Sequence, residues 1–231
     1  ASTYDQDMHA NPNNSTATNG TDQAWGGNRA RPDLVKKFFP NGNIPNLESY
    51  ATAEAAGDDR ALFNGVNRTL DNDDVATFKS GFGVAKFTNF KTDGSAGHDA
   101  TFPDADFFLM RAAEAYLNFA EADARINGGQ TTKEGTEANN AIRKRANASP
   151  REDKGYSLND ICDEWSREFY FEGRRRMDLI RFNRFGGNVN YNWQWKGGTK
   201  EGRNFSKDLN IFAIPTNELT SNKNLIQNPG Y

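Results

Sequence analysis

The sequence is poor in reactive side chains: one cysteine and two histidines in 231 residues. Cys162 alone cannot close an intramolecular disulfide, and His9 with His98 cannot build a His/Cys zinc cage. No apolar run approaches the ~18–20 residues that cross a bilayer as a helix. Neither sign of charge dominates. Against 28 Lys and Arg stand 31 Asp and Glu, a net charge of -3 with a pI of about 5.5, and this balance excludes the basic footprint of a nucleic-acid binder. An initiator Met and a basic-then-apolar leader are also missing, for the chain opens Ala1-Ser2-Thr3-Tyr4-Asp5-Gln6. Either a leader has been removed or this is a piece of a longer protein, and composition does not choose between them.

What is present is aromatic. The hydrophobic content is 35% and the mean hydropathy -0.87, yet 17 Phe, 7 Tyr and 4 Trp make up 12% of the chain. Disordered chains are poor in rings and usually strongly charged, so most of this length folds. It is long enough for one large domain or two small ones.

Three stretches are expected. Residues 1–102 read as loop-rich, opening with turn-formers such as Asn11, Pro12, Asn13, Asn19 and Gly20. Within them Pro32 to Phe39 places Leu34, Val35, Phe38 and Phe39 on one helical face, Ser49 to Gly57 is a second short helix, and Gly81 to Phe90 a short strand. Residues 103–185 form the helical core. From Asp104 to Asn127, Phe108, Leu109, Ala112, Ala113, Tyr116, Leu117, Ala120 and Ala124 recur at three and four as one wide apolar stripe. Lys133 to Ala148 gives a second helix. A third starts at the capping-box pattern Ser157 to Asp160 and carries Ile161, Trp165 and Phe169 to a break at Gly173, and a fourth runs from Arg174 to Phe185 with Met177, Ile180 and Arg181 at helical spacing. Residues 186–231 lose the period. The fold class is mainly α, an α-α superhelix of tetratricopeptide-like helix pairs with long irregular loops.

No catalytic constellation stands out. Glu114 and Glu121 share a helix face and Glu164, Glu168 and Glu172 repeat at four, spacings from which a glycosidase could draw its two carboxylates. The nearby Arg167, Arg174, Arg175, Arg176 and Arg181 instead suggest an ion-pair network. Cys162 sits mid-helix as core, Gly81-Phe82-Gly83 lacks the third glycine of a dinucleotide site, and Asp71 to Asp74 lacks the rest of a calcium loop. Neither metal nor cofactor is expected.

Aromatic residues in polar loops remain. Trp25 lies outside any amphipathic period, beside Asn28 and Arg29, with Tyr4 as a second ring upstream. A ring among amides and guanidinium groups can hold a sugar, whose apolar face packs on the ring while Asn and Arg bond its hydroxyls. Trp25 can equally anchor its loop to the core. Trp193 and Trp195 read as fold anchors.

Phe107 to Ala122, with Arg111, Glu114, Tyr116, Leu117, Ala120, Glu121 and Ala122 in register, resembles the "R-x-x-E-x-Y-L-x-x-A-E-A" helix of the SusD/RagB family of nutrient-binding outer-membrane lipoproteins. Ala141 to Ala146 resembles that family's "I-x-x-R-A" helix, and Glu168 to Phe182 its "E-x-x-F-E-G-x-R-x-x-D-L-I-R" signature. Ile214 to Glu218 and Gln227 to Tyr231 resemble its closing "I-P-x-x-E" and "Q-N-P-G-Y". The resemblance covers about residue 25 to the terminus. It implies a cell-surface glycan-binding protein, not an enzyme, that delivers oligosaccharide to a TonB-dependent SusC-like transporter at the outer membrane. Family members run to roughly twice this length, with a lipidated cysteine ahead of this region, so the chain resembles a C-terminal half whose lipid anchor would lie in the full-length protein. The alternatives are a glycoside hydrolase and a scaffold that covers the transporter without binding glycan. Trp25, Asn28, Arg29 and Tyr4 are the expected ligand contacts; the signature acids and arginines are expected to be scaffold.

Overall fold

The structure, a computed structural model, describes residues 19–22 and 27–231. Tyr4 and Trp25 lie outside the described residues. The chain forms two compact units, residues 1–173 and 174–231. Among the described residues it is mainly helical, with seven α-helices and two strands of two residues each, and no helix is long and apolar enough to cross a membrane.

In the first unit, α1 (Pro32–Val35) begins on a proline at its first turn and tightens into a 3₁₀ turn, Lys36–Phe38. The helix α2 (Ser49–Ala56) stops at Gly57, whose φ of 60° supplies the left-handed cap. Strand β1 (Phe63–Asn64) pairs antiparallel with β2 (Gly83–Val84). The expected strand at Gly81 to Phe90 is this short because the chain leaves the ladder after Val84, although Phe82 and Val84 are buried as the alternation requires. Phe63 and Tyr170 sit 5.3 Å apart and Phe38 meets Phe63 edge-on at 5.5 Å, forming the centre of an aromatic core.

Three helices build the rest of this unit: α3 (Ala112–Ile126), α4 (Lys133–Arg145) and α5 (Leu158–Phe169). The first of them packs against the other two. The sequence pattern places its start at Asp104, but the backbone is still extended at Arg111 (φ -132°, ψ 150°), where Glu168 and Glu172 hold the guanidinium. The wide stripe is also divided. Ala113, Leu117, Ala120 and Ala124 are buried, while Phe108, Leu109, Ala112 and Tyr116 are exposed. Asp123 ties down the N-cap residue of the next helix, accepting from the Thr132 N–H at 2.6 Å and hydroxyl at 2.9 Å. Gly135 permits this approach, since a Cβ there would meet the Asp123 carboxylate at 2.1 Å. That second helix ends at Arg145, short of the expected Ala148. The capping box at Ser157 and Asp160 forms as expected, and Ile161, Trp165 and Phe169 are buried.

In the second unit, α6 (Arg175–Arg181) is shorter than the expected Arg174 to Phe185 segment, with Asn183 in a left-handed conformation (φ 54°) beyond its end. Met177 is exposed. Asp178 is buried and accepts from Arg181 at 2.9 Å. The buried Lys196 ammonium donates to the carbonyls of Asn188 and Tyr191 and lies 4.8 Å from the Trp193 ring, which stacks with Phe185. Trp193 is thus a loop anchor, as its sequence context suggested. A last helix, α7 (Thr216–Ser221), precedes the terminal turn.

Candidate functional site

The repeated acids of α5 form an ionic layer inside the first unit. Glu164 is fully buried; Arg143 and Arg167 reach its Oε2 at 2.9 and 2.6 Å, and Arg60 faces Oε1 at 2.8 Å as an ion pair outside hydrogen-bond alignment. Burial alone would push this carboxyl up; Arg167, Arg60 and Arg143 outweigh it and hold it at about 2. Glu168 is bound by Arg60, Arg111 and Arg145. Glu172 takes both Arg111 and Lys86. The network expectation holds, but of the arginines near in sequence Glu164 takes Arg167, and its other partners arrive from residues 60 and 143. Arg176 instead donates to the carbonyls of Leu209 and Asn210, and Arg175 to the Tyr191 hydroxyl.

This layer can brace helices, but it is poorly suited to acid–base work on a sugar. A general acid needs a carboxyl that carries a proton near neutrality, and Glu164 is driven the other way. Glu121, the other acid of interest on α3, is bound by Arg125 and by the Trp165 indole N–H at 2.9 Å. The groove beside Lys86, Arg111 and Phe108 measures about 290 Å³ and is edged by these same neutralised charges.

The loop region around Asn28 and Arg29 has a different character. Ala30 donates to the Phe82 carbonyl at 2.9 Å and thereby fixes the preceding residues beside the turn that leads into β2. Arg29 reaches into that turn, bonding the carbonyls of Thr77, Val75 (2.8 Å) and Ser80 (3.1 Å). Arg68 bonds the carbonyls of Phe78 (2.6 Å) and Gly81 (3.0 Å). Asp74 accepts from the Thr77 hydroxyl and the Ala76 N–H, and these bonds, in that order, lower its pKa. Gly81 is required here: its φ is 101°, and a Cβ would meet the Asn72 amide at 2.1 Å.

The result is a rigid platform. Phe78 is 57% exposed, with the Arg29 guanidinium 5.8 Å from its ring centre, while Val75 and Asn28 are also exposed. Arg29 is therefore first a clamp on the 75–80 turn, and only its remaining N–H groups are available to a ligand. The structure adds Phe78, which the sequence reading passed over. The signal was present in Thr77-Phe78-Lys79-Ser80, a ring in a polar loop outside any amphipathic period, the same criterion that singled out Trp25.

The chain matches the SusD family over residues 49–231. It is 37% identical over 243 residues to the starch-binding protein SusD of Bacteroides thetaiotaomicron, a match covering 92% of this chain and 43% of that protein. A crystal structure of a SusD-like protein from Bacteroides fragilis superposes with a TM-score of 0.60 at 20% identity, over 97% of this chain and 51% of the other. A SusD superfamily protein from Parabacteroides distasonis gives 0.56 at 17% identity, covering 98% and 47%. The chain thus spans about half the length of these relatives, and the structural likeness supports the shared helical fold. The chain belongs to the SusD family.

Proposed function

We propose that this chain binds a starch-type oligosaccharide at the outer face of the outer membrane and hands it to a SusC-like TonB-dependent transporter, with a lipid anchor in the full-length protein. The observation that carries the reading is the pair of Phe78 and Arg29: an exposed ring beside a guanidinium, on a turn held by five carbonyl contacts from Arg29 and Arg68, with Asn28 exposed next to Arg29 in the chain. A pyranose stacks its CH face on such a ring and directs its hydroxyls to such donors. Trp25 and Tyr4 are the further rings assigned to the same role. Family membership and the relative's starch-binding name agree with it. The ion-paired state of Glu121, Glu164, Glu168 and Glu172 disfavours the hydrolase alternative.

A glycan-array screen combined with reducing-sugar release separates the readings. Binding without release is the expected result. Release of reducing ends would establish the hydrolase, and neither signal would leave the transporter-covering scaffold.

A further inference from the structure

The unit of residues 174–231 has a cavity of its own, about 610 Å³, within the size range that small ligands fill. Its walls are aromatic, with Phe185, Phe205, Phe212 and Tyr231 among the lining residues. Phe205 meets Phe185 edge-on at 5.0 Å. Phe212 and Tyr231 remain 71% and 52% exposed, so ring surface is open to a ligand. Both are held. The Tyr231 hydroxyl donates to the Ile211 carbonyl at 2.8 Å, and the Asn228 amide donates to the Phe212 carbonyl at 2.8 Å.

Two guanidinium groups share the cavity. Arg176 lies 4.0 Å from the Phe212 ring centre and 5.1 Å from that of Phe185. Its bonds to the Leu209 and Asn210 carbonyls fix it there. Arg203 donates through Nε to the Gly197 carbonyl at 3.1 Å. Among the described residues, no partner is found for its two terminal nitrogens or for the Asn204 amide. No acidic side chain lines the cavity.

Exposed ring faces beside unspent amide and guanidinium donors suit a pyranose. Two guanidiniums without a facing carboxylate add a preference for a negatively charged sugar, because the planar fork of arginine matches a carboxylate with two parallel bonds. We propose that this cavity is a second saccharide site and that it takes a uronate. Phe212 and Tyr231 carry the sugar ring, Arg203 pairs with the carboxylate and Asn204 bonds hydroxyls, while Arg176 holds Phe212 in place and adds positive potential. The proposal rests on the chain's role in glycan binding, yet it uses none of the residues assigned to the starch-type site.

The test is calorimetric titration of the full-length protein with a short oligogalacturonate and, separately, with maltoheptaose. Arg203→Gln and Phe212→Ala are both exposed substitutions, and each is expected to weaken oligogalacturonate binding by roughly tenfold or more, the loss that follows from one charge-assisted bond or one stacking face. Neither should change the affinity for maltoheptaose. Raising the salt concentration should weaken the oligogalacturonate alone. Oligogalacturonate that does not bind, or that binds both variants as tightly as the parent, overturns the uronate site. If maltoheptaose still binds in that case, the starch-type reading survives it; if neither sugar binds, both fall.

Discussion

The Trp165 indole N–H donates to Glu121 Oε2 at 2.9 Å, joining α5 to α3 through two buried side chains. Because the oxygen is both charged and out of water, removing this donor costs it a buried hydrogen bond. Trp165→Phe keeps most of the ring volume and should lower unfolding free energy in urea by about 1–3 kcal/mol. A stability equal to the parent's would show that the bond does not brace this helix pair.

Glu164 gives the acid limb of the stability profile. Its folded pKa of about 2 lies below the ordinary 4.5, so the folded state binds this proton less readily than the unfolded chain. Its stabilising effect is complete above pH 4.5 and is lost as pH falls toward 2. Asp160, held at about 2 by Arg151 and Ser157 against the upward push of burial, acts in the same direction. Glu164→Gln should give a shallower loss of stability between pH 4.5 and 2, read from thermal unfolding midpoints; an unchanged slope would contradict this origin.

Lys86 acts at the other end. Burial lowers its ammonium to about 8 despite Glu172, from an ordinary 10.5. Between pH 8 and 10.5 the unfolded chain therefore binds a proton that the folded chain does not, and stability rises with pH across that window. The gain is at most about 3 kcal/mol. Lys86→Met should abolish the rise, and a parent profile that falls steadily from pH 8 to 10.5 would refute it.

Asp178 is a structural acid. Burial raises its pKa in spite of Arg181 and Arg174, which lie 2.9 and 3.9 Å away. Asp178→Ala should cost about 1–3 kcal/mol of stability and leave glycan affinity unchanged in the refolded protein. Lost affinity at unaltered stability would place it in a binding site instead.

The exposed side of α3 and its approach carry Phe107, Met110, Tyr116, Phe119 and Ile126. Apolar surface of this extent is a contact surface, and the remainder of a full-length family member is expected to cover it. The 231-residue chain on its own should self-associate and bind a hydrophobic dye. A monodisperse monomer with a sharp thermal transition and no dye binding would contradict the prediction.

Local signals in the sequence were reliable where one residue decides the backbone. Pro32, Gly57 and the Ser157–Asp160 box mark their boundaries, whereas the helix expected to run to Gly173 already ends at Phe169. Pattern was less informative where long-range partners decide. The α3 segment satisfies a helical period from Phe108 onward, but Arg111 is held extended by acids some 57 and 61 positions away in sequence. Periodicity also cannot say which of two apolar faces meets a partner, so Tyr116 and Leu117 looked alike. Phe78 was legible as a loop ring, but its place beside Arg29 depends on carbonyl contacts that span 46 to 51 residues.

Calorimetric titration of the full-length protein with maltoheptaose, comparing the parent with Trp25→Ala, tests the central claim most directly. If the loop ring carries the sugar, the substitution should cost about 1–3 kcal/mol of binding, comparable with re-exposing a large apolar side chain, while Trp195→Ala should instead damage folding. Binding by Trp25→Ala as tight as the parent's would make the ring a loop anchor and contradict the assignment of the site.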